Sequence, residues 1–245
     1  MQIQNAVAVV TGGASGLGQG VAQLLASLGA QVDIYDLQLG AGRTPVDVTS
    51  SDQVQAAISG TVVRHGRLDI VVHCAGIGYA GRMLPKDGPM PLEIFERIIR
   101  VNLIGTFNVS RLAAAAMATN SPRSEEDGER GVIINTSSVA AYDGQIGQVP
   151  YAAAKAAVAG MTLPMARELA KLGIRVMAIA PGLFHTPLLA ALPAEAMQQL
   201  AAGIPFPPRL GTPAEFASLA RHIIENRSLN GEVIRLDGSL RMPPK

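Results

Sequence analysis

Short apolar runs, many of them β-branched, alternate with longer stretches rich in alanine and leucine along nearly the whole chain. This alternation is typical of βα units, in which crossover helices join parallel strands. Most of the short runs are continuously apolar, as expected of strands covered by helices on both faces. The predicted strands are residues 6–11, 31–36, 70–73, 132–136, 175–180 and 232–236. The predicted helices are residues 17–28, 51–64, 92–117, 151–172 and 213–225.

These elements predict an α/β fold: one domain over residues 1–245, with a doubly wound parallel sheet and helices on both faces. Only ten residues, 37–46, join the second predicted strand to the next candidate. A parallel crossover normally takes a dozen residues or more. We therefore expect the second crossover helix (37–46) to be shortened or absent. Segment 119–131 predicts a solvated surface loop, and segment 183–208 predicts a substrate lid.

Composition narrows the possible partners. The chain is 48% hydrophobic and 16% charged, and its net charge of +1 gives no field that would gather nucleic acid or an anionic membrane. No apolar run approaches the roughly 20 residues of a membrane helix. The single cysteine, Cys74, cannot form an intrachain disulfide, and the first five residues lead directly into an apolar strand. We expect a cytoplasmic protein. The histidines lack the spaced partners of a metal site, so no metal is expected.

A glycine-rich turn, Thr-Gly-Gly-Ala-Ser-Gly-Leu-Gly over residues 11–18, follows the first predicted strand and opens a helix. Such a turn lets the backbone approach a pyrophosphate closely, and the helix N-terminus supplies N–H groups for the anion. This position predicts a dinucleotide site rather than an ordinary tight turn. The residues assigned to the cofactor here are Gly12, Ser15, Gly16, Leu17 and Gly18.

Asp36 ends the second predicted strand, about twenty residues past the turn. A carboxylate there can accept a hydrogen bond from the 2′-hydroxyl of the adenosine ribose and repel a 2′-phosphate. An aspartate that only caps a loop is the alternative reading. The sequence favours NAD over NADP, with Arg43 as the nearest residue that could receive a phosphate.

Tyr151 and Lys155 stand four residues apart at the start of a predicted helix, so their side chains share one face. An ammonium beside a phenol favours the phenolate and would lower its pKa from about 10. Tyr151 would then serve as a general acid or base. Ser138 follows the preceding strand on the same carboxyl edge, where its hydroxyl could hold the reacting oxygen of a substrate. These three residues are the predicted catalytic set.

Together with Asn102, these motifs resemble the short-chain dehydrogenase/reductase superfamily, a group with a single-domain Rossmann fold, over essentially the whole chain. The resemblance implies that Asn102 supports a proton-relay water and that Lys155 also binds the nicotinamide ribose. It implies adenine contacts from Asp47 and Val48. The further cofactor residues that it implies are Cys74, Ala75, Gly76, Tyr151, Pro181, Gly182, Phe184 and Thr186.

A narrower resemblance is to the short-chain type of 3-hydroxyacyl-CoA dehydrogenase, also called 17β-hydroxysteroid dehydrogenase type 10. It rests on segments such as Gly-Val-Ile-Ile-Asn-Thr at 131–136 and Asn-Gly-Glu-Val-Ile-Arg-Leu-Asp-Gly at 230–238. That group uses NAD and forms homotetramers, and it implies a substrate contact for Gln145. His73 replaces the usual first asparagine of an Asn-x-Ala-Gly motif. His185 stands where the group has a small residue, and we assign it to the substrate side.

The sequence thus predicts an NAD-dependent oxidoreductase that interconverts a secondary alcohol and a ketone, with a 3-hydroxyacyl-CoA as the favoured substrate. The alternatives are a hydroxysteroid or other bulky alcohol dehydrogenase, and a 3-oxoacyl-carrier-protein reductase, which Asp36 disfavours. A scaffold protein that only binds NAD is a further alternative, because fold does not fix function. The predicted substrate contacts are Ser138, Gln145, Tyr151 and His185.

Overall fold

A computed structural model describes residues 1–38, 40, 42–123, 125–190 and 194–244. The chain forms a seven-stranded parallel sheet with the strand order β3-β2-β1-β4-β5-β6-β7. The strands are β1 (Val7–Thr11), β2 (Gln31–Asp36), β3 (Arg43–Pro45), β4 (Ile70–His73), β5 (Gly131–Thr136), β6 (Ile174–Pro181) and β7 (Val233–Leu236). The strand order turns back at β1, which confirms the doubly wound α/β fold and places a ligand crevice beyond the carboxyl ends of the strands.

Helices cover both faces of the sheet. They are α1 (Gly16–Ser27), α2 (Ser51–His65), α3 (Leu92–Ile99), α4 (Gly105–Ala118), α5 (Val149–Leu169), α6 (Pro187–Ala190), α7 (Ala194–Ala202) and α8 (Pro213–Glu225). One apolar core packs α1 and α8 on the sheet, and a second packs α2, α4 and α5 on the opposite face. The continuously buried β1, β4 and β6 lie between these two layers, which explains why they read as unbroken apolar runs.

The short connection after β2 is confirmed among the described residues of 37–46, since none of them is helical. The chain returns at once to form β3 beside β2, with Ile34 in register with Arg43. Sequence patterning missed this third strand, because its three residues include Pro45 and have no apolar run to reveal them. Pro45 is tolerated there because β3 is an edge strand of the sheet.

The predicted helix over residues 92–117 is interrupted. A π-helical turn at Arg100–Ile104 separates α3 from α4, and it carries Asn102 with its side chain fully buried. Turns of this kind occur frequently at functional sites. The predicted helix over 151–172 is α5 followed by a 3₁₀ turn at Ala170–Leu172. Within the predicted lid, 183–208, the described part contains α6 and α7, and residues 191–193 lie outside the described residues.

The segment predicted as a solvated loop, 119–131, has a buried anchor. Glu129 is only 5% exposed and pairs with Arg175 at 2.9 Å and with the amino group of Met1 at 3.0 Å. Arg175 also donates to the carbonyls of Ile223 and Ile224 at the end of α8. The expectation of solvation is therefore wrong for Glu129, because its partners come from distant parts of the chain that an acidic stretch does not reveal.

Candidate active site

The glycine-rich turn lies between β1 and α1 at the carboxyl edge of the sheet. Gly12 has a φ of +64°, and a Cβ added there would lie 2.6 Å from the amide nitrogen of Ala75 after β4. A Cβ at Gly18 would lie 2.3 Å from the carbonyl oxygen of Gly12. Only glycine permits this close packing of strand, turn and helix. The turn is therefore shaped by backbone contacts rather than by side chains.

The N-terminus of α1 points its free amides into this turn. Ser15 is the N-cap residue, and its side chain makes no capping hydrogen bond. The first-turn N–H groups, which include those of Gly16 and Leu17, have no intrahelical acceptor and carry the positive end of the helix dipole. Thr186 and Pro187 approach from the far side, where a Cβ at Gly16 would lie 3.2 Å from Pro187 Cδ. Segment 183–187 therefore packs against the glycine turn at Gly16.

Asp36 lies at the end of β2 and is tied to the turn. Its Oδ2 accepts a hydrogen bond from the amide of Ala14 at 3.0 Å, and its Oδ1 accepts one from the amide of Gln38 at 2.9 Å. Each carboxylate oxygen has a second lone pair for a further donor. The carboxylate is thereby fixed at the position where this fold places an adenosine ribose.

The residues assigned to adenine and to the middle of the cofactor follow β3 and β4 in the chain. Asp47 Oδ1 accepts from the amide and hydroxyl of Thr49, and the carbonyl of Val48 accepts from Asn108 Nδ2 at 2.8 Å. After β4, Cys74 donates its amide to the carbonyl of Thr11 at 3.0 Å. Ala75 donates its amide to Thr11 Oγ1, and Gly76 follows it. The backbone of 74–76 is thus fixed directly beside the glycine turn.

Ser138, Tyr151 and Lys155 meet at the carboxyl end of β5. Ser138 begins a 3₁₀ turn, where its hydroxyl accepts from the amide of Ala140. Lys155 is buried, its Nζ donates to the carbonyl of Thr136 at 2.8 Å and lies 5.8 Å from the centre of the Tyr151 ring. The structure therefore brings together the three residues that the sequence analysis selected.

Burial has opposite effects on the two titratable members of this set. It lowers the pKa of Lys155 from 10.5 to about 8, and it raises the pKa of Tyr151 above its usual value, with the Ser138 hydrogen bond acting against that rise. The expectation that Lys155 would lower the phenol pKa is wrong for this structure, because loss of solvent outweighs the other effects. At neutral pH Tyr151 keeps its proton.

Asn102 links the π-helical turn to this group. Its Oδ1 accepts from the amide of Ile77 at 2.9 Å, and its Nδ2 donates to the carbonyl of Ile77 at 2.9 Å. A Cβ at Gly76 would lie 2.7 Å from Asn102 Oδ1 and 3.7 Å from Lys155 Nζ. Asn102 therefore fixes the irregular segment that follows β4 close to the lysine ammonium. Its main-chain oxygen accepts from Thr106 Oγ1 at 2.8 Å.

The residues assigned to the nicotinamide end of the cofactor make different kinds of contact within the protein. Gly182 donates its amide to the carbonyl of Leu236, which continues the pairing of β6 with β7 beyond Pro181. The ring of Phe184 packs edge-on against Phe216 in the core, so its backbone is the part that faces outward. Thr186 accepts from the amide of Leu189 at the start of α6.

The two predicted substrate residues outside the catalytic set, Gln145 and His185, have different surroundings. Gln145 sits between Ser138 and Tyr151 in the chain, and its Nε2 donates to the carbonyl of Pro243 at 3.1 Å. His185 is exposed and lines a groove with Gly16, Gln19 and Thr186 along the start of α1. The surroundings of His185 thus belong to the side of the glycine turn.

Sequence reasoning missed a buried polar pair beneath the site. His73, which replaces the usual asparagine at the end of β4, hydrogen-bonds through Nε2 to Ser110 Oγ of α4 at 2.9 Å. Burial lowers the pKa of His73 to about 3, so its ring is neutral. The signal was present as the unusual histidine, but its partner lies thirty-seven residues further along the chain. This pair fixes α4 against the strand that leads to Cys74.

These geometries define a dinucleotide cradle beside a Ser-Tyr-Lys centre on a doubly wound sheet. A model of the family described as short chain dehydrogenase matches residues 6–196. The chain belongs to this family of oxidoreductases, and as a dehydrogenase of Rossmann type it works with a nicotinamide cofactor. The free amides at the start of α1, next to the glycine turn, supply the donors that the pyrophosphate of such a cofactor needs.

Three proteins that share one name are similar to this chain over nearly its whole length. The 3-hydroxyacyl-CoA dehydrogenase type-2 of Drosophila melanogaster is 53% identical, with 99% of this chain and 100% of the relative covered. The protein of that name from Homo sapiens is 51% identical, with coverage of 99% and 97%. The crystal structure of 3-hydroxyacyl-CoA dehydrogenase type-2 from Mycobacterium avium superposes with a TM-score of 0.92 at 45% identity, covering 98% of each chain.

Among the described residues, none of the helices has both the length and the apolar character needed to cross a membrane. Within the same ranges, no three His, Cys, Asp or Glu side chains are grouped so that they could hold a metal ion.

Proposed function

We propose that this oxidoreductase interconverts 3-hydroxyacyl-CoA and 3-oxoacyl-CoA thioesters with NAD as its cofactor. The observation that carries the proposal is the convergence of Ser138, Tyr151 and Lys155 beside the glycine turn. The thioester comes from the relatives, which share about half of their residues with this chain over its whole length and carry that substrate in their names.

In ketone reduction, Tyr151 gives the proton of its Oη to the substrate oxygen, and in alcohol oxidation it takes that proton back. Ser138 Oγ holds the same oxygen by a hydrogen bond. Lys155 supplies a positive charge beside the ring, and Asn102 fixes the segment after β4 through its bonds to Ile77. When bound, the nicotinamide ring gives or accepts the hydride. Because Tyr151 keeps its proton at neutral pH, the resting site is prepared for reduction, and oxidation should accelerate as pH rises.

The proposed preference for NAD rests on Asp36. Hydrogen bonds from the amides of Ala14 and Gln38 fix its carboxylate at the end of β2, where we propose that the adenosine ribose binds. A carboxylate there repels a 2′-phosphate. We expect Asp36→Asn, which keeps an acceptor for Ala14, to shift the ratio of kcat/KM for NADH over NADPH toward NADPH by about tenfold or more. Side-by-side kinetics with the two cofactors measure this ratio. An unchanged ratio would remove Asp36 as the basis of the preference.

The substrate is tested by reduction of acetoacetyl-CoA with NADH, with a steroid ketone in parallel and Tyr151→Phe as the blank. We expect NADH-linked turnover of the thioester and a loss of about 10²–10⁴-fold in the blank. Turnover of the steroid alone would favour the hydroxysteroid dehydrogenase alternative, and preference for a carrier-protein thioester with NADPH would favour the reductase. NADH binding without turnover of any ketone would favour the scaffold.

A homotetramer is the proposed assembly, as in the narrower group that the sequence resembles. Apolar side chains of the α4 and α5 region are supportive, because Ile104, Phe107 and Leu163 are 46%, 50% and 43% exposed. Such surface on neighbouring helices suits a symmetric interface between copies. Light scattering at micromolar concentration should give four times the chain mass, and a monomer would contradict the proposal.

Two further assignments complete the proposal. Segment 183–208 is the substrate lid, supported by its position at the carboxyl end of β6 and by its contacts to the glycine turn through Thr186 and Pro187. The cytoplasm is the proposed location. The single cysteine, Cys74, supports this location. Burial raises the pKa of its thiol to about 12, so the thiol stays reduced and unreactive.

A further inference from the structure

Arg235 lies in β7, far from the cofactor turn, and makes a dense set of charged contacts. Its Nη2 donates to Asp143 Oδ2 at 2.5 Å and to the carbonyl of Leu240 at 2.9 Å, and its Nε donates to Asp237 Oδ2 at 2.7 Å. The guanidinium also lies 5.3 Å from the centre of the Tyr142 ring. We call this group the arginine clasp: Arg235, Asp143, Asp237, Tyr142 and the Leu240 carbonyl.

Asp143 connects the clasp to the catalytic residues. It lies in residues 142–148, the loop that joins Ser138 to Tyr151 and carries Gln145. The same loop is held by backbone contacts to residues after β7, because the amide of Ile146 donates to the carbonyl of Pro244 at 3.0 Å. Together with the bond from Gln145 to Pro243, these contacts fix both the backbone and a side chain of the loop.

Asp237 and the next residue, Gly238, connect the clasp to both ends of the proposed lid. A Cβ at Gly182, just before the lid, would lie 2.9 Å from the Cα of Asp237. At the other end, the amide of Phe206 donates to the carbonyl of Gly238 at 3.3 Å. Arg235 therefore joins loop 142–148 to the base of segment 183–208.

The clasp is better placed to hold position than an ordinary surface pair. The side chains of Arg235, Asp143 and Asp237 are 22%, 17% and 8% exposed, whereas Arg221 and Glu225, an ion pair within α8, are both 44% exposed. The Arg235 hydrogen bond holds the pKa of Asp143 below its usual value. Charge-assisted hydrogen bonds in a partly buried setting are roughly twice as strong as neutral ones, while exposed ion pairs contribute little to stability.

We propose that Arg235 is a positioning residue for substrate: the arginine clasp fixes loop 142–148 against the lid base, so that Gln145, Ser138 and Tyr151 present one surface to the thioester. The inference rests on the proposed function for the identity of that substrate. It assigns Arg235 no contact with the reacting atoms.

The test compares Arg235→Met, Arg235→Lys and Asp143→Asn with Arg221→Met as the control for loss of an arginine ion pair elsewhere. We expect Arg235→Met to raise KM for acetoacetyl-CoA by about tenfold, as loss of a charged hydrogen bond would, with a smaller change in kcat. The Kd of NADH should stay within about twofold, since the glycine turn is untouched. Arg235→Lys should recover part of the KM, and Arg221→Met should change nothing.

Hydrogen exchange of the peptide covering 142–148 gives a readout that needs no substrate. Exchange should increase there in Arg235→Met and in Asp143→Asn, and the peptide covering the glycine turn should be unchanged. Equal KM for all variants with unchanged exchange in 142–148 would overturn the proposal, as would uniform exchange increases across the chain. If the wild-type protein reduces no acetoacetyl-CoA, the proposed substrate fails, and the exchange comparison still decides the clasp. If Arg235→Met does not fold, Asp143→Asn carries both measurements.

Discussion

The cofactor side and the substrate side of the crevice are constructed in different ways. On the cofactor side, backbone lies directly against backbone, and a Cβ at Gly12 or Gly18 would lie within 3 Å of main-chain atoms. On the substrate side, loop 142–148 is held largely by polar contacts, including the Arg235 pair with Asp143, whose members are 92 residues apart in the chain. One added methyl group at a turn glycine should therefore disrupt the cofactor side, and the loss of one charge should disrupt the substrate side.

Lys155 stands where the two sides meet, and its replacement should have the largest effect. Lys155→Met removes the ammonium beside Tyr151 and the donor to the Thr136 carbonyl, so we expect at least about a 100-fold loss of kcat in steady-state assays. The control is retained secondary structure by circular dichroism. Activity within tenfold of the wild type would mean that the ammonium is not part of the chemistry.

The same variant carries a stability signature with a defined sign. Burial lowers the pKa of Lys155 in the folded state to about 8, below its ordinary value of 10.5, so the folded state binds this proton less tightly than the unfolded state. The cost of burying the charge is full below pH 8 and is relieved between pH 8 and pH 10.5. Relative to Lys155→Met, the wild type should therefore gain free energy of unfolding across that window, as measured by urea titration at each pH. A constant difference across the window would contradict the shifted pKa.

Gly18→Ala tests the backbone construction directly. The new Cβ would lie 2.3 Å from the Gly12 carbonyl oxygen, so α1 must move away from the turn. We expect an increase of about tenfold or more in the Kd of NADH and a loss of about 1–3 kcal/mol of unfolding free energy. Fluorescence titration and thermal unfolding measure the two effects.

Gly60→Ala is the matched control, since a Cβ there meets only the flexible end of Arg64 at 3.3 Å on α2. It should leave NADH binding unchanged and add up to about 1 kcal/mol of stability through helix propensity. Equal losses in Gly18→Ala and Gly60→Ala would show that the tight packing at the turn has no special role.

The same contrast explains what could be predicted from the sequence. Local backbone requirements are visible in the local sequence, so the glycine turn, Asp36 and the Tyr151–Lys155 pair were predicted to lie after β1, at the end of β2 and at the start of α5, where the structure has them. The π-helical turn at Arg100–Ile104 was not found, because its residues continue the helical pattern on both sides. The clasp at Arg235 was not found, because an arginine in a strand pattern does not indicate its partner.

The phenol pKa shows a second kind of limit. Spacing places Lys155 beside Tyr151, but the direction of the shift depends on how much solvent both groups lose, and burial is a property of the whole fold. Glu129 is a similar case. An acidic stretch predicts a solvated loop, and the sequence does not show that Arg175 of β6 pairs with this carboxylate in the folded protein.

Replacing His185 tests where the cofactor side of the crevice ends and the substrate side begins, and we expect this replacement to have the smallest effect. The sequence predicts a substrate contact for His185, yet this residue lines the groove with Gly16, Gln19 and Thr186 along α1. If this groove belongs to the cofactor side, His185→Gln should raise the Kd of NADH by about two- to fivefold and leave KM for the ketone unchanged. NADH fluorescence titration without ketone separates the two quantities. A raised KM for the ketone with an unchanged Kd of NADH would assign His185 to the substrate side. Segment 183–187 would then also belong to the part of the crevice that side-chain contacts hold in place.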